Sequence, residues 1–255
     1  MNFIGTGTPL SQPGIDAAQT AAKVTSAVKI WSVLAVETSG CGYLPDRRPK
    51  ILFERHIFSR LTQHAFDADD PDVSAPTPGG YGPGGANQYL RLQAAMNLNA
   101  DAALQSASWG LGQIMGENYS SAGFGSVTDM INAFVASEDN QLLGMANFVS
   151  NSGMSESLEA MDWASFARLY NGPDYAANNY DGQLANDYTQ YSASGTPNLL
   201  IRSVQIYLTY RGYAIGPIDS IAGAKTIAGV QAFQSSIKVP PTGTIDVTLL
   251  AQLSQ

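Results

Sequence analysis

The 255-residue chain has one cysteine, Cys41, and two histidines, and only 13% of its residues are charged. A single thiol excludes an intramolecular disulfide framework and suits folding in a reducing compartment. With Cys41 beside Gly40 and so few histidines, a Cys/His nucleophile is a poor prospect. His56 and His64 stand eight apart without cysteine partners, which is not the spacing of a zinc site. Long apolar runs are also missing. The most apolar, Ile30 to Val36, is interrupted by Ser32 and stops at Glu37, far short of the roughly 20 residues of a membrane span. The opening MNFIGTGTPLSQPG lacks a positive stretch followed by an apolar core, so no secretory signal peptide is expected. Set beside 44% apolar and 9% aromatic residues, the scarcity of charge excludes a disordered acidic chain.

The charge that is present is divided unevenly. Over residues 195–255, Arg202, Arg211, Lys225 and Lys238 face Asp219 and Asp246, a net +2, so the whole-chain −8 leaves −10 for the remainder. An acidic body argues against nucleic acid as a partner. The basic tail could instead rest against an anionic polymer. The acidic run 67–72 begins like a calcium loop but puts Asp72 where glycine belongs and Pro78 where the bidentate glutamate belongs. No metal or cofactor is expected.

The pattern is helical for most of the chain. Val24, Val28, Trp31 and Ala35 form a helical stripe, with Gly40 and Gly42 as the stop. Residues 51–61 are apolar and β-branched at first and could continue as a helix. Residues 67–87, dense in Asp, Pro and Gly, must be a loop, and one so long is more often functional than not. Helical patterns resume at 88–98, 101–106, 128–152, 154–169 and 181–191. SASGTPN at 192–198 reads as a linker, and beyond it lie helical segments at 199–211, 224–238 and 246–253.

Three segments place polar residues where a plain helical core would not. Glu37 closes a very apolar helix, where burial and the negative end of the helix dipole both disfavour its charged form. A raised pKa is what a general acid needs near neutral pH, and the plain alternative is a surface glutamate at a helix end. In Ser106-Ala107-Ser108-Trp109-Gly110-Leu111-Gly112-Gln113-Ile114-Met115-Gly116, the small residues let a ligand approach the backbone and Gln113 offers an amide donor and acceptor. A Gly-rich helix packed on a neighbour would look the same. Tyr170-Asn171-Gly172-Pro173, taken singly, is a helix end and a turn.

Together and in this order the segments resemble the lysozyme superfamily, in particular goose-type lysozymes and lytic transglycosylases. The nearer likeness is to the N-acetylmuramidase family of phage and prophage endolysins. It is carried by Trp31…Val36-Glu37-Thr38, by Arg48-Pro49-Lys50-Ile51-Leu52-Phe53-Glu54-Arg55-His56, by Ser108-Trp109-Gly110…Gln113-Ile114-Met115-Gly116 and by Tyr170-Asn171-Gly172-Pro173. Glu37-Thr38-Ser39 departs from the superfamily's Glu-Ser at the residue after the acid. The tail resembles a small three-helix peptidoglycan-binding domain through Arg211-Gly212-Tyr213, Gly216-Pro217-Ile218-Asp219 and Gly243-Thr244-Ile245-Asp246. Ser220 stands where that family usually has glycine.

The resemblance implies a mainly α protein. Residues 1–25 would form an N-terminal segment, 26–191 a lysozyme-like catalytic domain, 192–198 the linker and 199–255 the binding domain. It implies a monomeric hydrolase that cuts the β-1,4 bond between N-acetylmuramic acid and N-acetylglucosamine and reaches the wall by lysis or a secretion system. Glu37 would be the acid. Ser108, Gln113 and Ile114 would hold the glycan, the first and last through backbone, with Tyr170 and Asn171 lining the site. Glu54, a polar break in an apolar segment, is the candidate second carboxylate, against a structural ion pair with Arg55 or Arg48. A lytic transglycosylase needs only one acid, and an inactive wall-binding protein is a third reading. The linker lacks the apolar residues that would weld its neighbours together, so 1–194 is expected to fold and cut soluble glycan alone, with the tail as anchor.

Overall fold

The computed structural model of the protein describes residues 1–38 and 41–255. Ser39 and the expected helix stop at Gly40 lie outside the described residues. The helices are α1 (Gln12–Ala22), α2 (Ala27–Thr38), α3 (Arg55–Leu61), α4 (Asn87–Leu98), α5 (Ala100–Gln105), α6 (Val127–Ala136) and α7 (Glu138–Asn151). They continue with α8 (Ser155–Ala160), α9 (Trp163–Tyr170), α10 (Tyr180–Ser194), α11 (Leu199–Tyr210), α12 (Ala224–Ser236) and α13 (Val247–Leu253). One small antiparallel sheet joins β1 (Ile51–Phe53), β2 (Ala107–Trp109) and β3 (Ile114–Met115) in that order. Ile51 pairs with Trp109, and Ser108 with Met115.

Side-chain caps set many of the boundaries. Two segments that read as single helices are each divided by such a cap. Ser137, extended at φ −155°, accepts from the Asn140 amide and begins α7, while Glu138 N–H donates to Thr8 carbonyl across the chain. Met161, left-handed at φ 59°, ends α8, and Asp162 then accepts from Ser165 N–H to begin α9. The Gly-rich segment 106–116 is not a helix but the β2–β3 hairpin. Gly110, at φ 69°, makes its turn, and a Cβ there would fall 2.6 Å from the Gln141 side chain.

The main core gathers Leu10, Ile15 and Ala18 with Trp31, Phe53, Trp109, Phe134, Met145 and Leu184. Leu10, Ile15 and Ala18 place part of the first 25 residues in this core, with α1 packed on α7. A second, smaller core of Val204, Leu208, Ile215, Val230, Phe233, Leu249 and Leu253 holds the three C-terminal helices together. Ser220 takes the left-handed conformation, φ 63°, and its N–H donates to Gln205 Oε1 at 2.9 Å. The turn thus keeps a geometry that suits glycine, at the strain a side chain brings there.

Helix α10 runs three residues into the expected linker, to Ser194, and Gly195 at φ 86° ends it. The expectation that the two modules lack a weld is not met. The weld is made by α11. Arg202, 2% exposed, meets Glu138, 0% exposed, through two parallel contacts of 2.5 and 2.8 Å. Ile206 packs with Cys41 and Tyr43, and the Tyr210 hydroxyl donates to Gly7 carbonyl at 3.0 Å. Arg202 was counted in the tail's positive charge, but its charge is matched inside the protein by Glu138 and is not offered to an external polymer. No helix among the described residues is long and apolar enough to cross a membrane.

Candidate active site

Helix α2 is almost entirely apolar and buried from Ile30 to Leu34, and it ends where its last residues reach a cavity. That cavity, about 280 Å³, is lined by Glu37, Thr38, Leu44, Lys50, Ile51, Gly85 and Gln113. The Glu37 residue is half-buried and its carboxyl group is crowded, so burial raises its pKa from 4.5 to about 7. One hydrogen bond opposes the rise: the Tyr180 hydroxyl, at the start of α10, donates to Glu37 Oε1. Lys50 lines the same cavity, but its ammonium donates to Thr38 carbonyl at 2.9 Å, and burial lowers its pKa. Glu37 therefore has a neutral donor as its hydrogen-bond partner and holds a proton into the neutral range.

The opposite wall is the hairpin. Gln113, at φ 48°, turns its amide inward: Ser108 Oγ donates to Gln113 Oε1 at 2.9 Å, and Gln113 Nε2 donates to Gly110 carbonyl at 2.8 Å. The Tyr170 hydroxyl donates to Gly112 carbonyl at 2.7 Å, and its ring stacks on Phe166. Burial and the nearby Glu37 hold the Tyr170 hydroxyl well above its ordinary pKa. Ile114 is 2% exposed, paired with Trp109 in the sheet and not among the residues that line the cavity. Asn171 is exposed at the C-terminal cap of α9. Glu37 and Gln113 thus meet in one cavity, with Ser108 bonded to Gln113 and Tyr170 near Glu37.

Glu54 does not line that cavity among the described residues. It sits three residues along β1 from Ile51, about 10 Å at the rise of a strand. Its Oε2 is 3.2 Å from His56 Nδ1, neither atom making a hydrogen bond among the described residues, and Tyr81 is near enough to lower its pKa. Burial raises its pKa, and His56 partly opposes this. The ion pair weighed with Arg55 or Arg48 is not formed: Arg48 binds Asp46 at 2.6 Å and Arg55 Nη1 reaches Pro71 carbonyl at 3.4 Å.

A larger cavity of about 700 Å³ lies between the modules and shares Thr38 with the first. Its charged side chains are already engaged, Arg202 by Glu138 and Asp219 by Gln205 and the Ile221 amide. Size therefore does not select it as the reacting centre. Tyr180 is the site residue that sequence reasoning missed. It lies 143 residues from Glu37, and an aromatic opening a helix carries no chemical signature.

Residues 26–192 match the family model of N-acetylmuramidase, and residues 198–253 match that of a putative peptidoglycan binding domain. Among solved structures, the crystal structure of Burkholderia AP3 phage endolysin is similar, with 36% identity and a TM-score of 0.66. The match covers 73% of this chain and 72% of that one. Comparison with curated proteins gives no match. The helix-terminal acid, the hairpin wall and the C-terminal three-helix module thus belong to a peptidoglycan hydrolase, and the chain is a member of the N-acetylmuramidase family of glycoside hydrolases.

Proposed function

We propose that the enzyme cuts the β-1,4 bond between N-acetylmuramic acid and N-acetylglucosamine, with Glu37 protonating the leaving glycosidic oxygen. The observation that carries this reading is the carboxyl of Glu37, pushed up to about 7 by burial at the wall of a cavity. Near neutral pH such a group is protonated often enough to donate as the oxocarbenium-like centre develops. Tyr180 fixes its orientation. Ser108, Gln113 and Tyr170 shape the glycan wall, the backbone around Ile114 offers it hydrogen-bonding groups, and Asn171 reaches the glycan from the rim.

Hydrolysis requires a second group to direct water, and Glu54 fills that role in this reading. A second outcome has its own support. Glu54 is engaged by His56 and Tyr81 outside the Glu37 cavity, which favours attack by the sugar's own 6-hydroxyl and a 1,6-anhydro product. Digestion of purified sacculi followed by mass spectrometry decides between them. Free reducing ends, together with a large loss in Glu54→Gln, support hydrolysis; products lighter by one water, with Glu54→Gln still active, assign the transglycosylase reaction. Glu37→Gln should reduce either activity by about 10²–10⁴-fold. The wall is the target, and release by lysis or a secretion system completes the reading.

A further inference from the structure

We propose that the C-terminal module is part of the catalytic unit, with Arg202 as a positioning residue that acts through Glu138 and Gly42 on the segment behind Glu37. The contacts run without a gap. Arg202 Nη2 donates to Glu138 Oε1 at 2.8 Å, and the same oxygen accepts from Gly42 N–H at 2.8 Å. Gly42 carbonyl accepts from Lys50 N–H at 2.7 Å, and Lys50 Nζ donates to Thr38 carbonyl at 2.9 Å. Thr38 and Gly42 are thereby each held, one by Lys50 and the other by Glu138.

The hairpin wall is tied to the same point. Leu111 N–H donates to Gln141 Oε1 at 2.7 Å, and a Cβ on Gly42 would fall 2.1 Å from that oxygen. The next residue, Gly112, carries the carbonyl held by Tyr170. The two walls of the Glu37 cavity therefore close on each other around Gly42. Without Arg202, an ionised Glu138 would be buried with no cation in contact, Lys50 acting on it only from a distance, and it would relieve this by moving toward water or by taking a proton. Either response loosens its hold on Gly42 and admits water beside Glu37. Among the described residues, the titratable side chains that face Glu37 are Tyr170 and Tyr180 from α9 and α10 and Lys50 ahead of β1. None of the three belongs to the C-terminal module, and of them Lys50 feels the opposed charges of both Arg202 and Glu138, so the route from Arg202 to Glu37 runs through the backbone it positions and the lysine anchored on that backbone.

The inference rests on Glu37 as the acid. The test compares full-length wild type, Arg202→Met and Arg202→Lys on soluble peptidoglycan glycan fragments from pH 5 to 9, below the melting temperature of each. Arg202→Met should lower kcat at pH 7 roughly tenfold or more with KM within about twofold. It should also move the alkaline limb of kcat/KM about one pH unit toward acid, as water reaches the carboxyl. Arg202→Lys, which keeps the charge, should restore the limb and most of kcat. An Arg202→Met protein that melts cooperatively above the assay temperature, with kcat and limb unchanged, overturns the proposal and leaves Arg202 as a strut between modules. Should Arg202→Met not fold, the apolar pair Glu138→Met/Arg202→Met, which removes the oxygen that holds Gly42 and strands no charge, is measured instead. A shifted limb there supports the proposal and an unshifted one overturns it. Activity in Glu37→Gln would remove the acid assignment itself, a result separate from any behaviour of Arg202.

Discussion

Two glutamates withdrawn from water, one in the cleft and one at the junction of the modules, titrate in opposite directions. Glu37 is raised to about 7, whereas Glu138, fully buried, is held below the ordinary glutamate value. Burial raises both. The difference lies in what faces them. Glu138 has the Arg202 guanidinium and the amides of Gly42 and Leu10; Glu37 has one phenol, and the lysine in its cavity is turned to a carbonyl. The protein withholds a cation where a proton must be carried and supplies one where a charge must be fixed.

The contrast can be broken first at the junction. Glu138→Leu leaves the Arg202 charge buried without its carboxylate and should cost about 3–5 kcal/mol, seen by calorimetry as a melting temperature lowered by roughly 10 °C. The apolar pair Glu138→Met/Arg202→Met should recover most of that loss, because neither charge is then stranded.

Breaking it at the cleft should have the opposite sign. Since Glu37 is raised when folded, its contribution to stability is fully present below pH 4.5 and is lost as pH rises through about 7. Glu37→Gln removes that loss and should stabilise the protein by about 3 kcal/mol at pH 8 relative to its effect at pH 4. Denaturant melts at the two pH values check this, and an equal effect at both would show that Glu37 is not desolvated. The wild-type activity should fall as pH rises past about 7, where the acid loses its proton.

A smaller change sharpens the role of the phenol. Its hydrogen bond lowers the pKa of Glu37, so Tyr180→Phe should move the alkaline limb upward by less than about one pH unit. A limb that moves down would show that Tyr180 serves the protonated form instead. The smallest effect is expected in the binding module. Ser220→Gly relieves a left-handed serine and should stabilise by about 0.5–1 kcal/mol, less the added freedom of the unfolded chain.

The readable parts of the sequence were those where local chemistry and tertiary position coincide. An acid ending an apolar helix announces Glu37, and the Asp-, Pro- and Gly-dense stretch at 67–87 announces a loop. The hairpin was harder, because small residues and glycines suit a close helix contact as well as a turn, and only the pairing of Ser108 with Met115 decides. Tyr180 and Arg202 carried no local signal at all. An arginine in an amphipathic helix reads as solvated charge until Glu138, 64 residues away, is placed opposite it. The polar linker misled for the same reason: what joins two modules need not lie in the segment that connects them.

Cys41 sits in this junction, 2% exposed, packed with Tyr43 and Ile206. Burial and the charge of Glu138 push its thiol up to about 12, so almost none of it is thiolate at neutral pH. The nucleophile that starts oxidation and mixed-disulfide exchange is therefore missing, and solvent-borne oxidants cannot reach the sulfur. A chain with a single thiol has no internal partner to shield it by bonding, and enclosure serves instead. The same docking that joins the modules keeps the chain's one thiol apart from the redox chemistry of whatever surrounds it.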